Sequence, residues 1–345
     1  MGGSKEMKKL YFLSTSLLTL LIFGTINSSQ AQIARISIAY PALSPAYTNL
    51  WVSKEAGLFD KYGLDVTLVL MGGGLRITQS LIAGDISFAG GGGEAALVAN
   101  LKGADTTIIA TNQPVLTYKL IGKKITSLEE LKRATPGLRL GILSFGSTSD
   151  FVARKITASL GLVIGKEIIL VPSGDATGRL ALLSQGLIDL TLMTTALPTR
   201  MSRGGFHILL DTATAKPPFP YHGGGLTTKR EMIRRNPDIV KSVIKAYVEG
   251  IKIYKTDREF ALKVGAKYTR RSNMDELQEE WKEYVDVVPK APYPAINGIK
   301  AMLGDLSGSF PETSNVDIRR FFDDSFVRDL ELSGFINSLY KSGAK

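Results

Sequence analysis

The sequence predicts an α/β protein of two lobes, each a small, mostly parallel sheet flanked by helices, with a two-segment hinge between them. Three observations carry this. Within residues 55–97, strand, glycine turn and helix follow one another twice, which brings helix N-termini to the C-terminal edge of a parallel sheet. The same alternation starts again at Arg139–Leu143. Between and after the two runs, the stretches near Gln113–Ile121 and Asp211–Gly225 break the rhythm and carry the chain across to the second lobe and back. The predicted division is 1–31 as a leader, 32–115 with 222–345 as lobe 1, and 116–221 as lobe 2.

In chain order, Lys8 and Lys9 precede the apolar run Leu10–Phe23, which is too short to cross a bilayer comfortably. Ser29-Gln30-Ala31 follows as a small-x-small site, so a cleavable export signal ending at Ala31 is expected, with an uncleaved anchor as the alternative. Met7 before Lys8 and Lys9 makes a more typical start than Met1. Without the leader, three basic and one acidic side chain are gone and the formal charge is +8. The basic residues are scattered and no aromatic-basic interleaving appears, so nucleic-acid binding is not expected. The positive field suits capture of an anion or contact with anionic lipid. No cysteine is present, which excludes disulfides, thiolate metal sites and cysteine nucleophiles but not an oxidising compartment.

Arg35–Tyr40 alternates as a strand and Thr48–Glu55 as a helix that Ser44 or Thr48 would cap. Asp65–Leu70 reads as a buried parallel strand, Leu75–Ala83 as a helix, Ile86–Ala89 as a strand, Glu94–Leu101 as a helix and Thr106–Ala110 as a strand. Ser127–Lys132 is a short helix with Ser127 and Glu130 in capping-box positions. The second unit runs through strand Arg139–Leu143, helix Phe151–Leu160, strand Glu167–Val171, helix Arg179–Gln185 and strands Leu187–Met193 and Phe206–Asp211. Gly84-Asp85 and Gly186…Asp189 echo one another as helix stops before an apolar strand. In the C-terminal third, Asn236 caps and Pro237 opens a helix with a core stripe of Val240, Val243, Ile244, Tyr247, Val248 and Ile251. Helices Arg258–Tyr268, Asp275–Val285 (capping box Asn273 and Glu276) and Val316–Leu332 follow, and Gly334–Tyr340 closes the chain.

Enzyme signatures are thin. Gly141–Gly146 has one residue too many for a Gly-x-Ser-x-Gly elbow. His207 and His222 stand alone with no metal-ligand spacing around them, and the glycine runs lack the endings of a triphosphate or dinucleotide loop. No metal and no cofactor are expected. Binding chemistry is richer. Candidate ligand contacts in lobe 1 are Ser44, Tyr47, Gly73, Gly74, Arg76, Gly92, Gly93 and Glu94. In lobe 2 they are Ser144, Gly146, Ser147, Thr148, Gly174, Asp175 and Thr195, with His222 at the second crossing. Hydroxyls and free N–H groups at helix starts suit a carboxylate, sulfonate or phosphate. Each has a plainer reading: Ser147 as a cap only, Arg76 and Arg179 as solvated cations, the glycines as ordinary turns. Asp175 or Glu94 would select an amine or hydroxyl, which conflicts with a purely anionic ligand. Bulky residues at Gly93 or Gly146 are expected to fill cleft space and abolish binding while sparing the fold.

Several segments, in order, resemble the periplasmic substrate-binding proteins of nitrate/sulfonate/taurine-type ABC importers, grouped with thiamine-pyrimidine-precursor-binding proteins. They are Glu55-Ala56-Gly57-Leu58-Phe59, Tyr62-Gly63-Leu64-Asp65-Val66, Leu81-Ile82-Ala83-Gly84-Asp85, residues 125–131, Gly186-Leu187-Ile188-Asp189 and residues 236–240. The resemblance runs from about residue 35 to the C-terminus. It implies a two-lobed type II periplasmic-binding-protein fold, a monomer in the periplasm that closes on a small solute and hands it to an ABC permease of the inner membrane. The solute would be a sulfonate, carboxylate or pyrimidine-like molecule lying between the turns at Ser44–Tyr47, Gly72–Arg76, Gly92–Glu94, Ser144–Ser149 and Gly174–Thr177. The self-consuming thiamine-pyrimidine synthases of a related branch use a histidine- and cysteine-rich iron segment that this chain lacks. Two other readings stay open: a secreted enzyme using Asp175, His222 or Ser147, and a sensor docking on a membrane receptor.

Overall fold

The computed structural model describes residues 34–133, 136–194, 204–215 and 219–341. The expected export signal and the candidate Thr195 lie outside them.

Two sheets are built to one plan. In the first, β1 (Ala34–Tyr40) pairs in parallel with β2 (Leu64–Leu70) and β3 (Phe88–Ala89). β10 (Gly225–Lys229) then lies antiparallel between β3 and β4 (Thr106–Thr111), giving the order β2-β1-β3-β10-β4. In the second, β6 (Leu138–Ile142) pairs in parallel with β7 (Ile168–Pro172) and β8 (Leu190–Met193). There β5 (Lys119–Gly122) lies antiparallel between β8 and β9 (His207–Asp211), giving β7-β6-β8-β5-β9. Each sheet thus takes its antiparallel strand from chain that has just left the other sheet. Two mixed sheets, each flanked by helices and joined by two crossings, make a two-lobed type II periplasmic-binding-protein fold.

Local chemistry explains the elements that frame the lobe edges. Ser44 accepts from the Ala46 N–H and caps a 3-10 turn, Pro45–Tyr47, which feeds α1 (Thr48–Glu55). Gly57 joins α1 to α2 (Leu58–Lys61) at φ +66, a left-handed conformation that glycine adopts without a Cβ clash. α3 (Gly74–Ala83) and α7 (Ala176–Gln185) stop at Gly84 and Gly186, both left-handed, so the echo in the sequence is one helix stop used twice.

The first core joins Ile36, Ile38, Leu50, Trp51 and Phe88 to the stripe Val240, Val243, Ile244, Tyr247, Val248 and Ile251 on α9 (Pro237–Thr256). Each such side chain contributes about 1.5–3 kcal/mol relative to exposure. Trp51 also stacks on Tyr268 of α10 (Arg258–Thr269), with ring centroids 4.8 Å apart. The second core joins Leu140, Ile142, Leu190 and Leu192 to Val152 and Ile156. It continues through Leu97 and Ile108 to Ile299, Met302 and Leu303 of α12 (Ile296–Asp305), a helix that starts without a side-chain cap.

Several expectations are corrected. β2 is an edge strand and not a strand buried on both faces: Asp65 and Thr67 are exposed while Leu64 and Val66 face the core. Asn236 makes no cap bond. Helix α8 (Arg230–Arg235) runs straight into it, and its amide donates to the Met232 sulfur. The helix expected over Val316–Leu332 is broken into a 3-10 turn, Ile318–Arg320, and α13 (Ser325–Leu332). Between them the chain pairs with the edge of β4, where the Ile108 N–H donates to the Phe321 carbonyl and the Asp323 N–H to the Ile108 carbonyl. Sheet hydrogen bonds there outcompete helix continuation.

Candidate functional site

The sheet edges meet across a closed cleft. On the first-lobe side, α3 and α4 (Gly93–Leu101) start at Gly73 and Gly92, both with positive φ and neither with a side-chain cap. A Cβ on Gly74 would sit 2.8 Å from the Gly92 Cα, so these two turns touch backbone to backbone. On the second-lobe side, Ser147 starts α6 (Thr148–Ser159), accepting from the Asp150 N–H and donating to the Ser144 carbonyl at 2.6 Å.

Contacts between the edges are specific. Ser44 Oγ lies 3.2 Å from Thr194 Oγ1, and the Thr148 hydroxyl donates to Glu94 Oε1. A Cβ on Gly73 would sit 3.3 Å from Ser144 Oγ, and one on Gly146 would meet Leu75 at the same distance. From α11 (Met274–Val285), Tyr284 donates to the Thr194 carbonyl at 3.0 Å and receives a bond from Thr117. Its neighbour Glu283 takes two 2.9 Å bonds from the buried Lys119.

Four phenols converge here. Tyr47, Tyr118, Tyr221 and Tyr284 are all buried, and each is held protonated chiefly by burial. Glu94 raises the first three further by its charge. Glu94 itself is 6% exposed and accepts from the Tyr221 hydroxyl at 3.2 Å as well as from Thr148. Burial raises its pKa, and the two hydroxyl bonds oppose the rise. Arg179, also 6% exposed, donates to Thr191 Oγ1, the Gly174 carbonyl and the Leu192 carbonyl. Where Glu94 meets the second lobe, a groove of about 840 Å³ opens, walled by Leu75, Ile82, Val98, Phe151 and Leu306, with Ser147 beside Glu94.

The candidates therefore divide. Ser44, Tyr47, Gly73, Gly74, Gly92, Gly93, Glu94, Ser144, Gly146, Ser147, Thr148 and His222 lie at or beside the meeting edges. Arg76 is exposed on α3. Asp175 is exposed too, and is spent capping α7 through the Gly178 N–H. Gly174 is exposed and contributes its carbonyl to Arg179. Gly93 does not face open cleft, because its Cβ would strike the His222 ring at 2.6 Å and the His222 carbonyl at 3.0 Å. A bulky residue there would displace the chain's own crossing segment, so the expectation of a spared fold fails. His222 is 1% exposed, burial lowers its pKa to about 4, and its Nδ1 has no hydrogen-bond partner. Tyr118 and Tyr284 belong to no motif in the sequence. One lies in the first crossing and the other sits on a helix more than a hundred residues later, with no local signal to pair them. Among the described residues, no cluster of three or more His, Asp or Glu side chains is placed to hold a metal.

No curated protein matches this sequence. Solved structures do. A protein from Bordetella bronchiseptica RB50 superposes with a TM-score of 0.75 at 19% identity, covering 87% of this chain and 98% of its own. The alkanesulfonate-binding protein SsuA from Xanthomonas axonopodis pv. citri, bound to MOPS, gives 0.63 at 19% identity over 81% and 93% of the two chains. The periplasmic nitrate-binding protein NrtA from Synechocystis PCC 6803 gives 0.63 at 13% identity over 88% and 89%. At these identities the likeness is one of fold. The NMT1/THI5-like family pattern matches residues 44–259, from the Ser44 turn to the start of α10, and the chain belongs to that family.

Proposed function

We propose that the protein is the extracytoplasmic solute-binding component of an ABC importer, which captures a small, anionic organic solute between its lobes and delivers it to an inner-membrane permease. The observation that carries this reading is the pairing of the two sheet edges. Uncapped glycine helix starts on one side and a hydroxyl-rich turn on the other meet around buried, incompletely paired polar groups. Such an edge offers backbone N–H groups to an anion without needing a side-chain cation. Family membership and the named functions of SsuA and NrtA agree with this. The expected leader ending at Ala31 would deliver a monomer to the periplasm.

Native mass spectrometry of the mature chain as purified, repeated after unfolding and refolding, tests the proposal. A reproducible extra mass that disappears on refolding is expected. Calorimetry on the refolded protein should then show saturable binding within a panel of sulfonates, carboxylates and pyrimidines. No retained mass and no binding across the panel would overturn the reading.

A further inference from the structure

Exposed apolar side chains gather at the cleft mouth, on turns from both lobes. Leu43 follows β1, Leu70 ends β2, Leu75 stands near the start of α3 and Phe145 lies between β6 and α6; all four are half-exposed. Contacts hold these turns side by side. The Met71 N–H donates to the Tyr40 carbonyl and the Gly73 N–H to the Pro41 carbonyl. A Cβ on Gly73 would meet Ser144 and one on Gly146 would meet Leu75. Leu75 and Ile82 then carry the apolar surface along α3 into the groove, whose wall Lys102 and Arg154 share.

The exposed charges around this surface have one sign. Residues 41–47, 70–76 and 143–149 contain no acidic side chain and a single cation, Arg76, which is exposed and forms no ion pair among the described residues. Lys102 and Arg154 are exposed as well. The two carboxylates that line the groove are buried and turned to internal partners. Glu94 accepts from Thr148 and Tyr221, and Asp150 from the Gly146 N–H and Arg154. Leu332 supplies the contrast: it is 79% exposed, but the exposed acids Asp329 and Glu331 stand beside it on α13. Apolar tips accompanied by cations and free of exposed carboxylates match a bilayer with anionic headgroups, where apolar side chains enter the acyl boundary and cations meet phosphate. The formal charge of the whole chain, +10, has the same sign and extends the attraction beyond the contact itself.

We propose that the cleft mouth rests on an anionic lipid surface, with Leu43, Leu70, Leu75 and Phe145 entering the headgroup layer and Arg76, Lys102 and Arg154 meeting its phosphates. Both lobes contribute, so the contact holds the mouth itself against the bilayer. It goes beyond solute capture and does not depend on it.

The test is flotation of the wild-type mature chain with protein-free vesicles of phosphatidylcholine, with and without phosphatidylglycerol, and with native membranes. The protein should float with the anionic vesicles and stay behind with the neutral ones, and added salt should release it. The double variant Leu70→Ser with Phe145→Ser, checked for fold by near-ultraviolet circular dichroism, should lose about tenfold in partition, and Arg76→Gln about fivefold. Leu332→Ser should float as the wild type does. Wild-type protein left behind by the anionic vesicles at low salt would overturn the proposal. So would mouth variants that float undiminished, or a loss in Leu332→Ser as large as that of the double variant. Retention by native membranes that the protein-free vesicles do not reproduce would assign the surface to a membrane protein and overturn the lipid contact.

Discussion

The two sheet edges that face each other solve the same problem in different ways. In the second lobe the helix starts are closed by their own side chains, with Ser147 bonding the Asp150 N–H and Asp175 the Gly178 N–H. In the first lobe the starts of α3 and α4 are glycines with no side-chain cap. A capped start has spent part of its N–H chemistry internally, whereas an uncapped one keeps it for another partner. The second-lobe edge is thus a finished surface and the first-lobe edge an unfinished one. The contrast teaches that first-lobe substitutions act through backbone sterics and second-lobe ones through single hydrogen bonds.

The largest expected effect comes from Gly92→Val. Gly92 has φ +79, and a Cβ there would lie 2.9 Å from the Gly74 Cα, where no side chain can yield. Left-handed strain and overpacking together should destabilise the protein by about 4 kcal/mol, read by urea denaturation. Gly146→Val, also left-handed but opposed only by the flexible Leu75 side chain, should cost clearly less. Equal losses would erase the contrast in rigidity between the edges.

Next in size is a pH effect at the crossing. His222 is held neutral, its pKa lowered by burial from 6.5 to about 4. Between those values the unfolded chain binds a proton that the folded chain does not, so stability declines as pH falls through this window and levels off below it. The linkage amounts to about 3 kcal/mol, and His222→Gln should flatten that part of the stability profile. Glu94 works in the opposite direction. Its raised pKa keeps a proton in the fold after the unfolded chain has released it, so its contribution declines as pH rises above the ordinary carboxylate range. A wild-type profile unchanged by either His222→Gln or Glu94→Gln would mean that these groups are solvated.

The smallest effect belongs to the finished edge. Ser147→Ala removes the cap and the bond to the Ser144 carbonyl, a loss of about 1.5 kcal/mol with little change in the lobe 1 turns. A loss as large as that of Gly92→Val would show that the edges do not differ in kind.

Much of this architecture was legible in the sequence because it is local. Glycine stops at Gly84 and Gly186, the Pro237 start and the α9 stripe each follow from a few neighbouring residues. Failures arose where distant chain intervened. Phe321 and Asp323 leave a plausible helix to pair with Ile108, and α12 forms to fill a core between the two sheets. The site was half legible for the same reason. The turn residues announce themselves through glycine and hydroxyl spacing. Tyr118, Tyr284 and the burial of Arg179 depend on which surfaces close together, and at Asp175 a cap and a ligand group look alike in sequence.

The absence of cysteine makes the most direct test simple. Cysteines placed at Asp85 and Thr177, exposed positions on different lobes, can carry spin labels without competing thiols. Pulsed electron resonance would then measure the interlobe distance in refolded protein, first alone and then with the sulfonate, carboxylate and pyrimidine panel. Solute capture predicts a broad, longer distance alone, and a narrow, shorter one with the bound member of the panel. A single narrow distribution that no solute changes would contradict a protein that works by closing on its ligand.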